Sequence, residues 1–99
     1  MMNSKEAKLA ALRDLSITTD ALVNGLAAGD LGKGHEAVSV LLMQGMNHFG
    51  PKSTAMQQFF PVWDAIKSHI DRGDATQALG QARLWNGQLH EVISIVTNG

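Results

Sequence analysis

Leu12, Leu15, Thr19, Leu22 and Leu26 recur in alternating steps of three and four residues, and Met56, Phe59, Trp63, Ile66 and Ile70 repeat that rhythm. It returns once more as Ala75, Ala78, Ala82, Trp85, Leu89, Val92 and Val96. Because a helix turns once in ~3.6 residues, each series gathers on one face and marks a helix packed against neighbours. A fourth series, Leu31, Gly34, Val38, Leu41, Gly45 and His48, is less one-sided. Val40, Met43 and Met46 fall on the side opposite Val38 and Leu41, while Leu42 and Phe49 flank the stripe. This helix is apolar nearly all round over its second half, which predicts cover on both sides.

The breaks between the series carry their own signals. Gly29-Asp30 and Gly73-Asp74 each set a residue suited to the left-handed conformation before one that accepts from the free N–H groups of the next helix. Gly50-Pro51 is a third stop, after which Ser53 or Thr54 opens a helix. Asn3 or Ser4 can cap the first helix, and Glu6, Gln57 and Gln77 stand where capping-box partners belong. The predicted helices run from about Ser4 to Ala28, Leu31 to Phe49, Thr54 to the Gly73 turn, and Ala75 to Thr97. Pro61 falls inside the third, where its missing N–H predicts either a kink or a separate turn over Thr54 to Phe60, and the unbroken register of Met56, Phe59 and Trp63 favours the kink.

Short connections make consecutive helices antiparallel neighbours. The pattern therefore predicts one all-α domain over residues 1–99, an antiparallel up-down-up-down four-helix bundle built from two helical hairpins. Its layers would run from Leu26, Leu31, Ile70 and Ala75 at the Gly-Asp end to Leu12, Gly45, Met56 and Leu89 at the other, with Trp63 and Trp85 inward. A 44-residue offset aligns the first and third stripes and places Asp20 on Asp64, Gly29 on Gly73 and Asp30 on Asp74. Internal duplication and convergence of two amphipathic hairpins both account for this.

Composition narrows the function classes. Eight basic and nine acidic residues are spread evenly over the two halves, so no electrostatic footprint for nucleic acid or anionic lipid is present. Met1 to Leu15 is charged where a signal peptide needs a continuous apolar run, and no segment approaches the ~20 apolar residues of a membrane span. A cytoplasmic location is the resulting expectation. Without cysteine there is neither a disulfide framework nor a thiolate metal site. Charged residues are only 17% of the chain against 44% apolar, which leaves apolar surface to offer a partner.

Candidate chemistry is sparse. His35, His48, His69 and His90 include no pair three or four residues apart, so no metal or other cofactor is expected. The glycine-rich start of helix two, with Lys33 and His35, lies at the same end of the bundle as His69 and Arg72, and these four form a candidate anion or ligand site. Asp30, Asp71 and Asp74 at that end oppose it. His69-Ile70-Asp71-Arg72-Gly73 resembles the His-x-x-Lys-Gly segment of histidine phosphotransfer domains over five residues. Arg72 stands where that family has lysine and Gly73 ends a helix that there continues, so no phospho-acceptor role is assigned to His69. No serine has a plausible base, and the carboxylates are scattered as on a solvated face. The expectation is a non-enzymatic helical interaction module that self-associates as a homodimer or binds a protein partner through Val40, Met43 and Met46 of helix two. A ligand-binding bundle using the end near Lys33 is the alternative.

Overall fold

The computed structural model describes residues 4–99, which form four helices: α1 (Ser4–Ala27), α2 (Leu31–Phe49), α3 (Thr54–Asp71) and α4 (Ala75–Asn98). α1 packs against α2 and α4, and α3 packs against the same two, so α1 faces α3 across a diagonal. The extents are 43 × 25 × 19 Å. A 24-residue helix is about 36 Å long at ~1.5 Å per residue, so the body is one helix long and two helices across. This is the antiparallel four-helix bundle that the spacing predicts. No helix among the described residues is long and apolar enough to cross a membrane.

The two Gly-Asp turns are built alike. Gly29 and Gly73 take φ of 75° and 76°, where a side chain would be strained. In the first turn the N–H of Gly29 donates to Leu26 O and that of Asp30 to Gly25 O; in the second, Gly73 donates to Ile70 O and Asp74 to His69 O. This double bond pattern satisfies the last carbonyls of one helix while the Asp carboxylate takes the Lys33 or Gln77 N–H of the next. Ser53 caps α3 in the same way through the Met56 N–H. The reciprocal half of the expected capping boxes does not form at Gln57 and Gln77. The Ser53 and Asp74 N–H groups already donate to Gly50 O and His69 O, so nothing remains for a glutamine to cap. The Asn3 cap lies outside the described residues.

α3 runs through Pro61 as one helix. The proline leaves the Gln57 carbonyl without its helical donor, which is tolerable because both residues are exposed to water. The stripes meet as predicted over their central turns, where Leu12, Leu15, Leu22, Leu26, Val38, Leu41, Trp63, Ile66, Ala78, Ala82, Trp85 and Leu89 are buried. The end positions differ. Leu31, Ala75, Val92 and Val96 are half-buried and His48 is exposed, because layers beside the turns and the helix ends lack a neighbour on one side; Phe59, one layer inside Met56, is half-buried as well.

Trp63 and Trp85 are 0% and 2% exposed and meet edge to face, with ring centres 5.5 Å apart. Phe59 and Phe49 extend the aromatic row toward the end of the bundle. The buried Thr19 explains its place in a leucine stripe. Its hydroxyl donates to Leu15 O at 2.7 Å and accepts the Trp85 indole N–H at 2.9 Å, so both polar groups are satisfied in the core.

Candidate interaction surface

α2 turns Val38, Leu41 and Gly45 into the core, and a helix of ~3.6 residues per turn must then carry Val40, Met43 and Met46 on its outer sides. The three do project there. Met43 and Met46 are 59% and 46% exposed and Val40 is half-buried. The cover on both sides expected for α2 is therefore absent within one chain: its own bundle covers only the inner face.

Neighbouring helices extend this apolar face in two directions. On the α1 side Val40 shares a shallow groove with Ile17, Thr18, Ala21, Lys33, Glu36 and Ala37, and Ile17 is 71% exposed. On the α3 side Met46 shares a second groove of about 400 Å³ with Pro51, Met56, Gln57, Phe60 and Pro61, and Phe60 is 48% exposed. Among the described residues no charged side chain lines this second groove. Sequence reasoning missed Ile17 and Phe60. Each is an apolar residue outside its stripe, a signal that marks exposure but not which neighbour it lies beside.

Polar contacts hold α1 and α2 in register under the surface. Thr18 Oγ1 donates to Gln44 Oε1 at 2.8 Å, and His48 Nε2 lies 2.9 Å from Asp14 Oδ2. With the packing of Gly45 against Trp63, they accompany a rotation of α2 that leaves Met43 and Met46 outward. With His48 turned toward α1, its place in the inward stripe is corrected: the ring reaches sideways to a carboxylate rather than into the core.

The four residues of the alternative ligand site are not gathered into one pocket. Lys33 lines the α1 side groove, and its N–H is held by Asp30 Oδ1 at 3.0 Å, so a carboxylate already occupies the helix start where an anion would sit. His69 and Arg72 contact each other, Nδ1 to guanidinium, at 2.8 Å. His35 is exposed and lies near enough to Asp71 to help hold its carboxyl low. The larger influence on Asp71 is its hydrogen bond from Lys67 Nζ at 2.8 Å, which lowers the carboxyl pKa and raises that of the lysine. Among the described residues no three His, Asp or Glu side chains converge as a metal site requires.

No protein-family model, no curated protein and no solved structure matches this chain. What the surface does is accordingly read from its own chemistry.

Proposed function

We propose that the protein is a small non-enzymatic helical interaction module that joins to a second copy of itself through the outer face of α2. The observation that carries this reading is the exposure of Met43 and Met46, at 59% and 46%, on a helix whose inner face is already buried. Covering one such side chain contributes at most ~1.5–3 kcal/mol. A two-fold arrangement covers each of them twice, which helps offset the loss of free motion on association. Methionine, unbranched and polarisable, suits a surface that must adapt to its mate.

Sedimentation over a range of concentrations tests the proposal. The wild type is expected to shift from monomer to dimer, and Met43→Glu to stay a folded monomer with an unchanged helical spectrum. A wild type that remains monomeric at high concentration, with Met43→Glu merely neutral, refutes it. So does a Met43→Glu variant that unfolds, since Met43 would then be a covered core position.

A further inference from the structure

The apolar strip crosses α2 from one flank to the other. Ile17 shares a groove with Val40, which lies three residues toward the helix start from Met43, and Phe60 shares a groove with Met46, three residues toward the helix end. The two grooves are on opposite flanks of α2, with Met43 between them on the outermost line. Thr18 pairs with Gln44, and Gly45 packs against both Met56 and Trp63, so Ile17 and Phe60 both lie near the level of Met43 to Gly45 along α2 and the strip runs across the helix. One end is a knob, since Ile17 is the most exposed large apolar side chain described, at 71%. The other is a recess walled by Met46, Phe60 and Pro61.

Building on the self-association proposed above, we infer that two copies pair about a two-fold axis through Met43 that is perpendicular to this strip, so that Ile17 of each copy seats in the groove of Met46, Phe60 and Pro61 of the other. Rotation about that axis reverses the strip end for end, placing knob in groove twice and Met43 on its own counterpart. Rotation about an axis along the strip would instead set Ile17 on Ile17 and leave both grooves empty.

Area selects the fuller contact. The exposed parts of Met43 and Met46 amount to on the order of 200 Å² per copy, far below the roughly 600 Å² per partner of small specific interfaces. Adding Ile17 and Phe60 brings the apolar area to about 400 Å² per copy, about two-thirds of that size, which is the apolar share usual in interface cores, and the exposed polar residues Glu36, Asn47 and Gln57 border the strip as its rim. Among the described residues the groove has no charged wall, so the isoleucine displaces water without stripping an ion. Lys33 and Glu36, of opposite sign, border Ile17 in its own groove and stay at the wet edge.

The chain has no cysteine, so engineered thiols report contacts without background. Ile17→Cys and Phe60→Cys variants are mixed and oxidised after each is shown to keep the wild-type helical spectrum. The mixed disulfide is expected to dominate over either self-disulfide, because bridged cysteines need Cα atoms within about 7 Å. Ile17→Glu is expected to weaken association by roughly tenfold or more, as loss of a central anchor does. Self-disulfides alone, no disulfide, or an unchanged Ile17→Glu dissociation constant, each in a wild type that sediments as a dimer, overturn this pairing while leaving self-association in place. A monomeric wild type removes both.

Discussion

Gly45→Ala and Gly80→Ala make the same chemical change in two helices and are expected to act in opposite directions. In a helix interior alanine is favoured over glycine by ~0.8–1.0 kcal/mol, and that gain is common to both. At Gly80 a new methyl group meets nothing within 4 Å, so the gain stands alone. At Gly45 the methyl carbon would lie 2.5 Å from Met56 Sδ and 2.8 and 2.9 Å from Trp63 Cζ3 and Cη2. Comfortable separations are ~3.5–4.0 Å, so the neighbours must retreat by about 1 Å. Met56 can turn its flexible end away. Trp63 cannot, because it is fully buried with the Phe59 and Trp85 rings packed 5.8 and 5.5 Å from its own. Overfilling of this kind costs ~1–3 kcal/mol, and with Trp63 unable to retreat the upper part of that range applies, so that after the propensity gain Gly45→Ala is less stable by up to about 2 kcal/mol. In a domain of this size each kcal/mol moves the midpoint by about 4–8 °C. Thermal and urea unfolding followed by circular dichroism should show Gly80→Ala melting higher than wild type and Gly45→Ala lower. Equal or greater stability of Gly45→Ala would refute the close approach of α2 to Trp63, and with it the packing that sets the rotation of α2.

Thr19→Val removes the acceptor of the Trp85 indole N–H and is expected to cost ~1–3 kcal/mol in urea unfolding. Lys67→Ala is expected to return the Asp71 carboxyl upward toward its ordinary value in a chemical-shift titration. Because the folded pKa of Asp71 is lowered and that of Lys67 raised, any stability from this pair is present above the ordinary Asp range and below the ordinary Lys range. It is lost on acidification through the depressed Asp71 value and on alkalinisation through the raised Lys67 value, and at an exposed site the effect on unfolding should be small. Sulfate is expected to raise the melting temperature of wild type and Lys33→Ala equally, by general exclusion from the surface, because Asp30 already fills the start of α2. An increment lost only in Lys33→Ala would restore the anion-site reading.

The sequence alone determined the helices, their ends to within a residue or so and their inward faces apart from His48, since periodicity and capping are local properties that the backbone imposes on any chain with these residues. The Leu12 to Leu26 and Met56 to Ile70 stripes and the Gly-Asp turns could be read directly for that reason. It also separated Val40, Met43 and Met46 from the core side of α2. What it could not supply was the outside neighbour of each residue. That Ile17 comes to lie beside Val40 and Phe60 beside Met46 depends on how far each helix is rotated about its axis. That rotation goes with contacts distant in sequence, Thr18 with Gln44, Asp14 with His48, and Gly45 against Trp63. Periodicity already set Gly45 on the inward side of α2; only the tertiary structure showed how closely it approaches Met56 and Trp63, because interhelical distance is a property of the packed bundle and not of either helix.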